Sequence, residues 1–299
     1  MPISVKCKSL LYADDSALLV AGKDTNLIAE ALSSELESCR QWLVDNKPSL
    51  HLGKTEAILF GSKRKLLNDN NFNVKCGDVE IQNVKNVKYL GLQLDDDLSG
   101  NSIVKGILDK ANCRLKFLYR YKEMLNFQAR KNLCSALIQC HFDYACSAWY
   151  PGINIALRKR LQVMQNKIIR FILGLDNRSH IGNDELNNAG FLKVPDRVKQ
   201  LMLGHVFKIK NKTSPEYLQT HFLRLKDMEN RNRTRATEYD FYTPKINSHS
   251  ASTFFYTAIK DWNALPPCLK ESRSECIFKD RLKQHLLRVA EEEEENFRI

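Results

Sequence analysis

The chain has 299 residues and 43% of them are hydrophobic, enough apolar mass for one large domain or two modest ones, so wholesale disorder is excluded. With only 12 Gly and 8 Pro, collagen-like, Gly/Pro low-complexity and turn-dense all-β chains are disfavoured, and the composition leans helical. Lys and Arg number 46 against 35 Asp and Glu, and five of those acids stand together at Glu291 to Glu295, so residues 1–290 hold 45 bases and 30 acids. Such an excess points to a polyanionic partner, nucleic acid or an anionic membrane surface. No run of 18 apolar residues exists, and the N-terminus lacks the apolar segment of a signal peptide, so the expectation is an intracellular protein, nuclear or cytoplasmic and not secreted. Nine cysteines, an odd number scattered through apolar surroundings, read as reduced core residues rather than a disulfide framework.

Residues 1–100 are close to neutral, with 12 bases and 14 acids, and alternate strand and helix signals. Near the start, Leu10-Leu11-Tyr12-Ala13 and Ser16-Ala17-Leu18-Leu19-Val20 flank Asp14 and Asp15. Two apolar runs parted by turn-forming carboxylates predict a β-hairpin with the aspartates at its tip. An exposed tip can offer carboxylate oxygens to a hard cation such as Mg²⁺, although Asp-Asp also suits an ordinary turn. The cluster Asp95-Asp96-Asp97 reads as an exposed turn.

Residues 101–175 carry 13 bases and only 3 acids and read as three helices. In the first, Ile103, Ile107, Ala111, Leu115 and Leu118 share one face, leaving Lys105, Asn112, Lys116 and Arg120 elsewhere. In the third, Leu157, Leu161, Met164, Ile168, Phe171 and Ile172 form the stripe, with Arg158, Lys159, Arg160, Lys167 and Arg170 around it and Gly174 as a stop. Helix by helix this is a solvated basic face, but the joint excess favours contact with a phosphate backbone. Residues 176–290 hold 20 bases and 13 acids; segment 228–250, with Arg231, Arg233 and Arg235, reads as a connector, and a last helix over about 274–290 runs into an acidic tail at 291–299. No cysteine pair has zinc-finger spacing.

The motif Tyr12-Ala13-Asp14-Asp15 resembles the Tyr/Phe-Ala-Asp-Asp signature of reverse transcriptases, and its continuation resembles the non-LTR retrotransposon type, especially the jockey-like clade. Trp42-Leu43-x-x-Asn46-x-x-Ser49-Leu50-x-x-x-Lys54-Thr55-Glu56 is similar to the next palm motif, and Val87-Lys88-Tyr89-Leu90-Gly91-Leu92 is similar to the primer-grip hairpin. Ala129-Arg130-Lys131-x-Leu133, Asp143-Tyr144 with Trp149, and Leu161-Gln162-x-x-Gln165-Asn166-Lys167 resemble the helical thumb. Phe254-Phe255-x-x-Ala258-x-x-x-Trp262-Asn263-x-Leu265-Pro266 resembles the tail of such elements.

The resemblance implies an α+β N-terminal part, a partial palm with β-hairpins over 1–100, then a mainly α-helical thumb over 101–175 and a helical C-terminal region over 176–290. It implies Asp14 as the metal ligand with Asp15 beside it, Mg²⁺ as cofactor, and deoxynucleoside triphosphates polymerised on an RNA template. In-line nucleotidyl transfer of that kind uses two metal ions. Lys54 matches a palm lysine suspected of assisting the leaving group and equally suits a surface lysine. Tyr89, Leu90 and Gly91 would place the primer end, and the bases Lys105, Lys116, Arg120, Arg130, Lys131, Arg158, Lys159, Arg160, Lys167 and Arg170 would grip an RNA/DNA duplex through its phosphates. No Asp precedes Asp14 here, whereas the family's palm carries a second aspartate upstream. The chain is therefore expected to be a truncated piece without fingers, begun at an internal methionine and inactive alone. The competing expectation is a noncatalytic, element-derived helical scaffold for nucleic acid or protein.

Overall fold

The computed structural model describes residues 7–47, 50–67, 72–225, 238–246 and 252–298, with side chains as far as Glu292. Met1, Pro2, Ser49 and the Arg231, Arg233 and Arg235 ladder lie outside those residues. The chain forms two compact units, Met1–Ile103 and Val104–Ile299, and its class is α+β. Among the described residues no helix is long and apolar enough to cross a membrane.

The first unit opens with the expected hairpin. Strands β1 (Cys7–Tyr12) and β2 (Asp15–Val20) pair antiparallel from Cys7 opposite Val20 to Tyr12 opposite Asp15. The next helix, α1 (Thr25–Asp45), starts where the Asp24 carboxylate accepts the Asn26 and Leu27 amides at 2.8 and 3.3 Å, occupying donors that a helix cannot use internally. It packs on both hairpin strands. Beyond it come β3 (Glu56–Ala57), α2 (Lys63–Leu67), β4 (Lys75–Cys76), β5 (Val79–Glu80), β6 (Gln82–Asn83), β7 (Asn86–Tyr89) and β8 (Leu92–Asp95). β3 runs parallel to β6, while β4–β5 and β7–β8 are tight hairpins, so the described strands form four separate two-stranded sheets. Ala29, Phe72, Val74, Cys76 and Ile81 make this unit's buried cluster, covered by Ile28, Leu32 and Leu36 of α1.

The second unit is helical. Helix α3 (Asn101–Tyr119) leads into it, and α4 (Phe127–Cys134), α5 (Cys140–Asp143) and α6 (Cys146–Trp149) come next. A π-helical turn at Ser135–Gln139 and a left-handed Ala145 at φ 48° divide α4, α5 and α6, where one helix was expected. Side-chain periodicity cannot reveal such a break because the apolar residues continue through it. Helix α7 (Ile155–Leu173) begins at Asn154, whose side chain accepts the Leu157 amide at 2.9 Å, and stops at Gly174, left-handed at φ 73°. Then come α8 (Asn183–Ala189), α9 (Val194–Lys210), α10 (Glu216–Gln219), α11 (Phe254–Asn263), α12 (Pro267–Lys270) and α13 (Glu275–Arg298). α13 runs on through the acidic stretch instead of ending near residue 290, consistent with glutamate's good helix propensity. Residues 101–175 and 176–290, read apart in the sequence, are in contact through α7, which packs on both α8 and α9.

The two apolar stripes read from the sequence are the buried faces of their helices, with Ile103, Ile107, Ala111, Leu115 and Leu118 on α3 and Leu157, Leu161, Met164, Ile168, Phe171 and Ile172 on α7 all under 9% exposed. Gln165, 1% exposed, donates to the Leu192 carbonyl at 2.9 Å, and the Val194 amide donates to Gln162 at 3.0 Å, so the Gln-x-x-Gln pair fastens α7 to the strap before α9. Asp143 accepts from Arg197 at 2.7 Å and the Trp149 indole donates to the Tyr144 carbonyl at 3.1 Å, giving those motif residues structural partners as well.

Of segment 228–250 the structure describes residues 238–246, a loop as expected but a packed one. Phe241 is 2% exposed in the cluster with Trp262, Phe222 and Phe278, and its amide and carbonyl are both bound by the Asn263 side chain at 3.0 and 2.7 Å. The same segment supplies Asp240 to the buried Lys270, Nζ to Oδ1 2.7 Å, with side chains 12% and 2% exposed. The cysteines also divide: Cys7, Cys39, Cys76, Cys134 and Cys146 are buried as expected, but Cys113, Cys140, Cys268 and Cys276 are exposed, and all nine are free thiols. A half-apolar thiol on a helix surface satisfies the same periodicity as a core residue.

A buried ion pair resists loss of one partner far more than loss of both. Asp240→Asn is expected to lower unfolding free energy by about 3–5 kcal/mol, and adding Lys270→Met should recover most of it, measured by urea denaturation. A loss below about 1 kcal/mol for the single variant would refute a buried charge partnership.

Candidate functional site

The carboxylate hairpin closes through a two-residue loop, Ala13 and Asp14, with Ala13 at φ 52°. A positive φ at the first loop residue matches the turn to the right-handed twist of the strands. Asp14 lies in the loop and Asp15 opens β2; both are exposed, as are Tyr12 at 67% and Leu11 at 60%. A pair of neighbouring exposed carboxylates is a hard-oxygen donor set of the kind Mg²⁺ accepts when substrate phosphates and water complete its shell. Among the described residues no group of three or more His, Cys, Asp or Glu is arranged to hold a metal ion.

Tyr89, Leu90 and Gly91 form a second tight hairpin. Tyr89 pairs with Leu92, leaving Leu90 and Gly91 in the loop at φ 45° and 82°. Two consecutive positive φ values define a type I′ turn, which suits Gly91 and strains Leu90. Tyr89 and Leu90 are half-buried and Gly91 is exposed. Lys54 is exposed at the end of a 3₁₀ turn, Leu52–Lys54, just before β3 and outside the carboxylate hairpin's own sheet.

Asp95-Asp96-Asp97 turns at Asp96 and Asp97 as expected, but none of the three is exposed. Asp95 is 7% exposed and accepts the Ser102 amide at 3.2 Å and the Ser99 hydroxyl at 3.3 Å, capping the first turn of α3. Asp97 accepts the Ser99 amide at 3.0 Å and pairs with Lys63 at 3.3 Å; the Ser99 hydrogen bonds, assisted by the Lys63 charge, hold its carboxyl below the ordinary value. The run serves backbone donors at a helix start, a task that linear composition cannot separate from a solvated turn.

The basic residues of the second unit fall into two groups. Some guanidinium groups turn back to the chain: Arg130 donates to the Leu125 and Lys122 carbonyls at 2.9 and 3.1 Å, and Arg158 to the Ile153 and Pro151 carbonyls at 3.2 and 3.0 Å while lying over the Tyr150 ring at 5.0 Å. Lys131 reaches the Phe127 ring at 6.0 Å. By contrast Lys105, Lys116, Arg120, Lys159, Arg160 and Lys167 are exposed, and their side chains make no hydrogen bond or ion pair among the described residues.

Two of those exposed lysines meet across a cleft. Lys116 of α3 and Lys167 of α7, with Arg170, line an opening of about 260 Å³ together with Asn112, Leu115, Tyr119 and Asn177. Arg170 is held by the Ser179 carbonyl at 2.8 Å, which fixes its position on the wall. The Tyr119 ring packs edge-on against buried Phe171 at 4.9 Å, joining α3 to α7 beneath the opening. Burial pushes the Tyr119 phenol above its ordinary value, with the Arg170 charge opposing. The cleft therefore offers three cations, two amides and a phenol, with no carboxylate among its lining residues. That is a phosphate-binding chemistry. Tyr119 and Asn177 were not anticipated; Tyr119 stands four residues beyond Leu115 and three beyond Lys116, a spacing that could have placed it at this edge.

No protein-family model matches the chain. The chain is similar to the probable RNA-directed DNA polymerase from transposon X-element of Drosophila melanogaster, with 23% identity over 239 residues. The match takes in 77% of this chain and 24% of that protein. That likeness supports a distant relationship to a transposon RNA-directed DNA polymerase.

The division of the bases is measurable. Arg158→Ala removes bonds to backbone carbonyls and is expected to lower stability by about 1–3 kcal/mol, whereas Lys159→Ala should stay within about 0.5 kcal/mol, both read from urea midpoints. Equal losses would erase the distinction.

Proposed function

We propose that the chain is a palm-and-thumb portion of a non-LTR retrotransposon reverse transcriptase of the jockey-like type, and that its second unit grips an RNA template paired with its primer. The observation that carries this reading is the convergence of Lys116, Lys167 and Arg170 on one cleft free of carboxylates. The sequence order supports it too: a carboxylate hairpin, a Tyr-Leu-Gly turn and then basic helices succeed one another as the family resemblance requires.

In this reading Asp14 and Asp15 would hold Mg²⁺, which when bound supplies positive charge to a nucleotide's phosphates. Tyr89, Leu90 and Gly91 form the primer-end contact, the glycine allowing close approach of backbone to the strand. Lys54 is assigned the leaving-group side. Lys116, Lys167 and Arg170 neutralise phosphates of the duplex, Lys105, Arg120, Lys159 and Arg160 extend that contact, and Arg130, Lys131 and Arg158 add positive charge beside it, Arg130 and Arg158 while bound to carbonyls of neighbouring turns. Contacts of this kind carry little base specificity, as a polymerase moving along its template requires. The 299 residues alone are expected to bind template–primer without extending it, since Asp14 and Asp15 provide one carboxylate pair and two-metal transfer uses ligands from more than one strand.

Fluorescence anisotropy with a labelled RNA–DNA template–primer tests the reading. The affinity should fall steeply with salt, and Lys116→Ala and Lys167→Ala should each flatten the log–log salt slope by about one. Binding that ignores both salt and these substitutions would reject the duplex grip in favour of a protein-interaction scaffold.

A further inference from the structure

Beyond the cleft, the end of α3 exposes aromatic surface that packing does not use. Phe117 and Tyr121 are 52% and 45% exposed, with ring centroids 5.3 Å apart and planes inclined at 57°. Met124 at 82% and Phe127 at 42% continue the surface into the next turn and α4. A lone exposed ring is ordinary, whereas adjacent rings and a methionine within residues 117–127 make a patch. Its surroundings are mainly cationic, with one exposed carboxylate, Glu123, between Tyr121 and Met124. Arg114 and Arg120 stand three residues before and after Phe117 in the chain, and both are exposed, while Lys131 reaches the Phe127 ring.

The pairing of rings with cations narrows the occupant. A purely apolar partner surface would leave the guanidinium groups uncompensated, and a free phosphate would leave the rings in water. An unpaired nucleotide chain satisfies both: base faces stack on the rings and the phosphates meet the cations. A duplex offers phosphates but keeps its base faces internal, so the rings discriminate against it. We propose that Phe117 and Tyr121, flanked by Arg114 and Arg120, form a stacking platform for unpaired nucleotides of a single-stranded nucleic acid. The inference rests on the reading of this unit as a nucleic-acid grip and assigns it a second, differently shaped substrate.

The test compares an oligodeoxythymidine of about 12 nucleotides with a blunt RNA–DNA duplex, each titrated with the whole chain by anisotropy. Phe117→Ala with Tyr121→Ala is expected to weaken oligonucleotide binding about tenfold or more and to leave duplex binding unchanged. Phe117→Leu with Tyr121→Leu keeps the apolar bulk and should lose the same discrimination. Phe117→Trp should retain binding, with its new fluorescence quenched on adding the oligonucleotide. Oligonucleotide binding that survives the paired substitutions, or falls in step with duplex binding, overturns the platform; protein capture by the patch without oligonucleotide binding does so too. Failure of the unaltered chain to bind the duplex would instead overturn the duplex grip, which separates the two failures.

Discussion

The charge on the second unit is arranged by a constraint that is not electrostatic. Helices α3 and α7 each bury one apolar stripe, and Leu115 and Leu118 on one and Ile168 and Phe171 on the other are 5% exposed or less. Full burial of such side chains stabilises by roughly 1.5–3 kcal/mol each, far more than any surface ion pair returns. Once those faces are committed, the intervening lysines and arginines have only the outer surface to occupy. The Tyr119–Phe171 contact joins the two helices, and Lys116, Lys167 and Arg170 line one cleft. Mutual repulsion among these cations is a cost that the buried stripes offset, and an anionic ligand relieves it.

The elements behind α7 keep its outward face in place. Gln165 and Gln162 tie it to the strap at Leu192 and Val194, and α9 in turn packs against α11 and α13. That C-terminal core is closed by polar devices as well as by apolar area: Asn263 holds the Phe241 backbone in two directions, the Trp262 indole donates to the Tyr239 carbonyl at 2.9 Å, and Lys270 reaches Asp240. At the far end of α13, Asn183 donates to the Ala290 carbonyl at 2.8 Å and Asn187 to Glu291 at 3.1 Å. Several residues of the thumb-like and tail-like motifs thus have packing and capping work, and their chemistry is that of the scaffold.

Features that depend on local periodicity were legible from the chain alone. The carboxylate hairpin arises from two apolar runs parted by turn formers, and the α3 and α7 stripes from spacing of three and four residues. Features that depend on how a short turn closes on its own side chains were not. Asp95 accepts an amide seven residues on, and Arg130 and Arg158 each donate to a carbonyl five residues back, contacts that apolar spacing does not mark. The break at Ser135–Gln139 is hidden for the opposite reason, since its apolar residues keep a helical rhythm while the hydrogen bonds shift. The platform rings were concealed among core-like aromatics, because exposure is a property of the assembled surface.

Groups of opposite charge lie in separate units: exposed Asp14 and Asp15 at the hairpin tip of the first, and the basic cleft in the second. The basic cleft is the surface proposed to hold nucleic acid. Photo-crosslinking of an RNA–DNA template–primer carrying halogenated uracil, with peptide mass spectrometry as the readout, tests it most directly. Crosslinks are expected within residues 112–120 and 167–177, the walls of the cleft. Crosslinks concentrated on α11 to α13, with none on those two segments, would contradict it.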